Sequence, residues 1–155
     1  MTVYSNVRTD LTQDDPTEFV KANQLAGVLR VAHAQFEASS QAADTIEMFA
    51  LPNGARVVQA KLCHDALGGS TTLAVGHAAY TNSDGTAVAA DNAHYKAAAA
   101  STSAQCVDAA ATLALGSGEE VDLDGDTKDN EYIVTVTSTG TTTGTIELTM
   151  YYVVD

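Results

Sequence analysis

The chain has 155 residues, a mass of 16.0 kDa and 45% apolar residues, which is enough to bury the core of one ordinary domain. Seven Lys and Arg against 20 Asp and Glu give a formal charge of -13, and a surface of that sign repels phosphate backbones and anionic lipid headgroups. The composition therefore argues against nucleic-acid and membrane partners, and no apolar run approaches the length needed to cross a bilayer.

Residues 1–27 differ from the rest of the chain in their weak periodicity and their few large apolar side chains. Such a segment is typical of an extended arm that packs on another surface. We therefore predict an extended N-terminal arm over residues 1–27 and one β-domain over residues 28–155.

Strand patterns begin just after Gly27, where Leu29, Val31 and His33 alternate with their neighbours at a period of two. The same pattern predicts strands over residues 44–51, 55–63, 70–76, 131–138 and 145–154. Within 55–63 the alternation places Val58 on the same face as Ala60 and Leu62, and Val57 on the other face. We expect the last two strands to form a hairpin, because the Thr- and Gly-rich residues 139–144 join them.

Residues 78–118 carry a weaker pattern. The alanine run Ala97 to Ala100 favours a short helix by propensity, whereas the adjacent Ser and Thr residues favour a long loop, and both interpretations stay open. Short strands separated by turns, without long amphipathic helices, predict a mainly β protein. We expect an antiparallel β-sandwich, jelly-roll-like, preceded by the extended arm.

The two cysteines, Cys63 and Cys106, are far apart in the sequence, and no second pair accompanies them. This pattern indicates neither a disulfide framework nor a CxxC metal site. It favours two buried free thiols, with a Cys63–Cys106 disulfide as the alternative.

An Asp-rich segment over residues 120–131 has the character of a metal site. Its side chains match the ligand and glycine positions of an EF-hand loop: Glu120, Asp122, Asp124, Gly125, Asp126 and Glu131. A strand pattern follows where a helix should begin, and glycines precede where a helix should end. These departures favour a solvated acidic loop without a cofactor, and a calcium site at Glu120, Asp122, Asp124, Asp126 and Glu131 is the alternative.

No set of residues indicates catalysis, so we do not expect an enzyme. The four histidines are scattered, and Cys63 and His64 are strand neighbours that point to opposite faces. Five tyrosines form a candidate sugar-binding platform: Tyr80, Tyr95, Tyr132, Tyr151 and Tyr152. Because the chain has no tryptophan, packing in the core or an interface is the favoured use of these rings.

Three short segments carry a family resemblance: Leu51-Pro-Asn-Gly-Ala-Arg-Val57, Asp65-Ala-Leu-Gly68 and Thr72-Leu-Ala-Val-Gly76. Together they resemble the turn and strands of the small decoration, or cement, proteins of tailed-bacteriophage heads. The C-terminal segments 143–146 and 152–155 are also similar to the closing strand of that group.

The resemblance implies a virion protein, made in the host cytoplasm, that binds the outer capsid surface as a homodimer or homotrimer. Its partner would be the major capsid protein, and its arm would contact neighbouring subunits through residues such as Arg8, Phe19 and Lys21. The alternative function is a carbohydrate-binding or adhesive sandwich domain that uses the acidic loop, with or without calcium, and the tyrosines.

Overall fold

A computed structural model describes residues 28–110, 119–125 and 130–154. Within these ranges the chain forms ten β-strands and no helix, so no membrane-spanning helix occurs there. The strands are β1 (Arg30–Gln41), β2 (Thr45–Leu51), β3 (Ala55–His64), β4 (Thr72–His77), β5 (Tyr80–Thr81), β6 (Ala87–Val88), β7 (Asp91–Ala100), β8 (Gln105–Asp108), β9 (Tyr132–Thr139) and β10 (Thr142–Val154).

The eight longer strands form two four-stranded antiparallel sheets. Sheet A has the order β1-β10-β3-β8, sheet B has the order β2-β9-β4-β7, and β5 and β6 form a separate small hairpin. Along the chain the strands pass between the sheets, so that each sheet is built from strands distant in sequence. This arrangement of eight strands is the double Greek key of a jelly roll. The predicted fold class is therefore confirmed.

The core lies between the inner faces of the two sheets. Sheet A contributes Leu62, Ile146, Leu148 and Met150, and sheet B contributes Leu73, Val75, Val134 and Val136. All of these side chains are at most 1% exposed. Burying one such side chain contributes about 1.5–3 kcal/mol, so the strand alternation supplies the main stabilising term.

The expected C-terminal hairpin is wrong, although both of its strands exist. β9 pairs with β2 and β4 in sheet B, whereas β10 pairs with β1 and β3 in sheet A. The connection through Gly140 and Thr141 therefore crosses from one sheet to the other. Alternation identifies a strand but does not identify its partner.

The alanine run Ala97 to Ala100 is neither a helix nor a loop, because it ends strand β7. Thr72 and Leu73 of β4 pair with Ala100 and Ala99, so β-sheet pairing overrides the helix propensity of alanine. These alanines are exposed on an edge strand, which explains why hydrophobic periodicity did not reveal them.

A β-bulge reverses the predicted orientation of two residues in β3. The register with β10 shifts between Tyr151 and Tyr152, which inserts one extra residue into β3. Val57 is consequently 2% exposed, whereas Val58 is 42% exposed. The prediction that Val58 shares a face with Ala60 is thus wrong for this physical reason.

The two cysteines form a disulfide, so the expectation of two buried free thiols is wrong. Cys63 and Cys106 are directly paired on β3 and β8, with a Cα–Cα distance of 4.0 Å. Sequence separation concealed this pairing, because the crossover through β4 and β7 brings the two strands together.

The predicted arm over residues 1–27 lies outside the described residues, and the division into arm and domain stays a prediction. The first described strand begins at Arg30, shortly after the predicted boundary.

Candidate binding surfaces

Exposed apolar side chains, an acidic segment and a cluster of aromatic rings all lie at one end of the sandwich. Here β1 begins, β10 ends and β3 begins, with Arg30 paired to Tyr152 and Tyr152 paired to Val57. Residues 1–27 join the domain at this end, because they precede Val28 in the chain. We call it the arm end.

An apolar patch lies on the surface of sheet A at the arm end. It comprises Val28 and Leu29, which directly precede β1, together with Val31, Val58 and Tyr151 on the sheet. The four aliphatic side chains are 73%, 56%, 55% and 42% exposed, in that order. Val31 and Tyr151 are direct partners across β1 and β10, so their side chains share one face. A cluster of exposed apolar side chains is typical of a surface that contacts another protein.

The acidic residues 119–125 also lie at the arm end, where they are attached to the turn between β2 and β3. Glu120 forms an isolated bridge with Arg56, and Val121 exchanges two backbone hydrogen bonds of 2.8 Å with Gly54 and Ala55. Val121 and Leu123 are buried, at 3% and 8% exposure. This acidic segment is therefore a packed strap across the end of the sandwich.

Of the residues expected to bind calcium, the structure describes Glu120, Asp122, Asp124 and Glu131, and Asp122 lies near Tyr80. The Glu120 carboxylate forms an ion pair with the Arg56 guanidinium, and the backbone NH of Asp124 donates to the Thr81 carbonyl. Glu131 lines a shallow groove beside β2 together with Met48, on the side of sheet B. Asp126 lies outside the described residues, as do the proposed capsid contacts Arg8, Phe19 and Lys21.

Among the described residues, no group of three or more His, Cys, Asp or Glu side chains is arranged to hold a metal ion. The solvated loop without a cofactor stays the favoured prediction for residues 120–131, and the calcium site stays the alternative.

A cluster of tyrosine and histidine rings lies at the arm end, with Tyr95, Tyr132 and His77 buried and with Tyr80 and His94 partly exposed. His77 is 4% exposed and its ring centroid lies 5.4 Å from that of Tyr80, 4.9 Å from that of His94 and 5.2 Å from that of Tyr132. The sequence interpretation that treated the histidines as scattered missed this cluster. The sequence carries no signal for the cluster, because it forms only where the end of β4, at His77, pairs with the start of β7, near His94.

Burial changes the chemistry of the tyrosines in this cluster. Desolvation raises the pKa of Tyr95 to about 12. The pKa of Tyr132 is also raised, mainly by desolvation and to a smaller extent by electrostatic repulsion from Tyr95. Desolvation, with Glu119 and Asp122 nearby, also raises the pKa of Tyr80. All three phenols therefore ionise at a higher pH than an exposed tyrosine does.

The tyrosines do not form the single platform that sugar binding would need. Tyr95 and Tyr132 are 5% and 4% exposed within the ring cluster, whereas Tyr151 and Tyr152 lie on β10 in sheet A. This placement agrees with the favoured interpretation that the rings serve packing.

A contact between His94 and Glu119 ties the acidic strap to sheet B. The Nε2 atom of His94 lies 3.1 Å from Glu119 Oε2, and Asp91 Oδ2 lies 3.9 Å from His94 Nδ1. The carboxylates are about half exposed, and polar contacts between exposed side chains add little stability.

A second concavity lies at the opposite end of sheet A, on its outer face. It is an open groove of about 400 Å³ beside the Cys63–Cys106 disulfide. Asp65, Glu147, Gln35 and Gln105 are among the residues that line it.

Comparison with known proteins finds solved structures with a similar fold. No family model and no curated protein matches the sequence. The chain is similar to a chain of the capsid of Ralstonia phage GP4, with a TM-score of 0.60 and 23% identity, covering 90% of this chain and 93% of that one. It is also similar to a chain of the cyanophage Pam1 capsid, with a TM-score of 0.56 and 15% identity, covering 93% and 99%. At these identities the matches establish a shared fold.

Proposed function

We propose that this chain is a decoration, or cement, protein of a tailed-phage head: a non-enzymatic structural protein that binds the outer capsid surface and stabilises the shell. The observation that carries the proposal is the fold match to chains of two phage capsids. Each match covers at least nine-tenths of both chains, so the matched chains are about as long as this one. The proposal therefore concerns the whole chain as one capsid component.

The charge of the chain supports a position outside the shell. With a net charge of -13, the protein repels the packaged genome, which is itself a dense polyanion. A component on the inner surface would meet this repulsion, whereas one on the outer surface would not.

The apolar patch supports attachment through the arm end. Its exposed side chains would gain about 25 cal/mol for each Å² of apolar surface removed from water on binding. The patch includes Val28, where residues 1–27 join the domain, so the patch and the arm can contact one partner. We propose the major capsid protein as that partner, with Arg8, Phe19 and Lys21 as contacts in the arm.

The carbohydrate-binding alternative has less support. Stacking on a sugar needs exposed aromatic faces, and two of the five candidate tyrosines are at most 5% exposed.

Cosedimentation with undecorated capsids tests the proposal. We expect the full chain to bind, and we expect Val31→Asp and Val58→Asp each to weaken binding by about tenfold or more, because a charge would be desolvated in the interface. Ala98→Asp is the matched control, since it places the same charge on an exposed strand position of β7.

Removing residues 1–24 tests the arm separately, with the melting temperature of the shortened chain as a control for folding. Binding that is unchanged in this variant would exclude a role for Arg8, Phe19 and Lys21. A full chain that does not bind capsids but responds on a glycan array would overturn the proposal in favour of the adhesive alternative.

We further propose that the protein acts as a homodimer or homotrimer. Sedimentation equilibrium of the full chain distinguishes these states from each other and from a monomer.

A further inference from the structure

The Cys63–Cys106 disulfide lies on the surface of sheet A. The preceding residue Leu62 points into the core, so the two cysteines point outward from β3 and β8. Cys106 is exposed and Cys63 is half-buried, and both border the open groove of about 400 Å³. Small molecules can therefore reach the bond without unfolding of the domain.

The bond connects an edge strand to the body of the sheet. β8 has four residues, and among the described strands it pairs with β3. The pairing runs from Lys61 opposite Asp108 to His64 opposite Gln105. Three of the four β8 residues are exposed, so little apolar burial holds this strand. Short, exposed edge strands of this kind open at low free-energy cost. The disulfide lies within this pairing and limits such opening.

We propose that Cys63 and Cys106 form a thiol–disulfide exchange site. The two cysteines are free thiols in a reducing compartment, and in an oxidising one they form the disulfide (the closing reaction), which fastens β8 to sheet A. In the closing reaction the thiolate of one cysteine attacks a low-molecular-weight disulfide, forming a mixed disulfide and releasing one small thiolate. The thiolate of the second cysteine then attacks the protein sulfur of that mixed disulfide. The protein disulfide forms, a second small thiol leaves, and the small disulfide has been reduced by two electrons.

The compartments follow from the proposed function. A phage structural protein is made in a reducing cytoplasm and leaves in a particle released into an oxidising medium. The exchange chemistry itself does not rest on that function, since it requires only two accessible, opposed cysteines.

Charge around the groove selects the reagent. Asp65 and Glu147 line the same groove as the two cysteines and His64, and the whole chain carries a charge of -13. Anionic disulfides such as oxidised glutathione are repelled, whereas a cationic disulfide such as cystamine is attracted. The groove therefore favours cationic partners for exchange.

The first test measures the rate at which the reduced, folded full chain forms the disulfide (the closing rate). Mass spectrometry counts the thiols that can still be alkylated at each time. At low ionic strength we expect closing to be about tenfold faster with cystamine than with oxidised glutathione, and the ratio should fall several-fold in 0.5 M NaCl. Glu147→Gln should lower the ratio, whereas the matched change Glu131→Gln, beside β2 in the other sheet, should leave it unchanged. Equal rates for both reagents would overturn the electrostatic selection.

The second test measures hydrogen exchange of the oxidised and reduced chain. Amides of β8 should exchange about tenfold more slowly in the oxidised chain, whereas amides of β1 should be unaffected, and the melting temperature should be about 10 °C higher after oxidation. The double variant Cys63→Ser/Cys106→Ser should behave like the reduced chain under both conditions. Equal β8 exchange in both states, or loss of the fold on reduction, would overturn the proposal.

Capsid binding is measured separately with both redox forms. A failure of both forms to bind would contradict the proposed function and leave the exchange results intact.

Discussion

The hydroxyl groups of Tyr95 and Tyr132 lie 2.9 Å apart and form a buried hydrogen bond at the arm end of the core. They come from β7 and β9, the two strands that flank β4 in sheet B, so the bond joins parts of the sheet that do not pair directly. Because burial raises the pKa of both phenols, the folded state holds them neutral.

Alkaline pH should therefore destabilise the fold. The unfolded chain ionises its tyrosines near pH 10, whereas folded Tyr95 stays neutral up to a pKa of about 12, so stability is present below pH 10 and is lost as the pH rises toward 12. We expect a loss of up to about 1.4 kcal/mol per pH unit for each of Tyr95 and Tyr132. Urea denaturation between pH 8 and pH 11 measures this slope.

Tyr95→Phe provides the sharper form of this prediction. At pH 8 it should cost about 1–2 kcal/mol, because the buried Tyr132 hydroxyl loses its partner, yet stability should fall less steeply above pH 10. Tyr151→Phe, on the outer face of sheet A, is the control and should keep the wild-type slope. An unchanged slope in Tyr95→Phe would contradict the assignment.

Gly76 should not tolerate a side chain. A Cβ atom at this position would lie against the carbonyl oxygen of Asp91 and the backbone of Asn92, closer than real Cβ contacts, because β7 begins directly over Gly76. We expect Gly76→Ala to lower the free energy of unfolding by about 3 kcal/mol. Gly69→Ala is the matched control, since nothing lies within 4 Å of its added Cβ. Thermal melts of equal midpoint for the two variants would disprove the close approach.

Two threonines should respond oppositely to the same substitution. The Thr135 hydroxyl is buried and has no hydrogen-bond partner within the described ranges, whereas the Thr71 hydroxyl accepts from Ser101 at 2.9 Å and donates to the Gly68 carbonyl at 3.0 Å. Thr135→Val should therefore be neutral or stabilising by about 1 kcal/mol, and Thr71→Val should cost about 1–3 kcal/mol. Chemical denaturation of both variants measures the change in the free energy of unfolding. A large decrease for Thr135→Val would contradict the prediction, because it would show that the Thr135 hydroxyl has a hydrogen-bond partner.

Addition of calcium should leave the melting temperature unchanged at constant ionic strength. Glu120 is engaged by Arg56, and the strap is held by backbone hydrogen bonds and by burial of Val121 and Leu123. A ligand that binds the folded chain would raise its melting temperature. A rise of several degrees in millimolar CaCl2 that Asp122→Asn abolishes would instead establish residues 120–131 as a calcium site.

The sequence was informative where one face of a strand is buried. In β10 the alternation of Ile146, Leu148 and Met150 with Glu147 and Thr149 reflects one face in the core. The predicted bounds of β9 and β10 differ from the observed ones by at most a few residues. β7 escaped prediction because its last four residues are exposed alanines, which carry no signal of period two.

The pairing of the strands, the β-bulge and the contacts between distant segments could not be predicted from the alternation of residues. Strand pairing depends on which sheet each strand joins, and nothing in the β9 or β10 sequences specifies this. The bulge at Val58 and the ring cluster around His77 depend on contacts between segments distant in the chain, as does the disulfide.

The strand order also governs when the protein can fold. β10 lies between β1 and β3, and β9 lies between β2 and β4, so one of the two inner strands of each sheet is synthesised after the strands it joins. Neither sheet is continuous while β9 and β10 are still within the ribosome. A chain built from such long-range contacts folds slowly and only after most of its synthesis, which leaves its apolar strands exposed to chaperones until the last segments emerge.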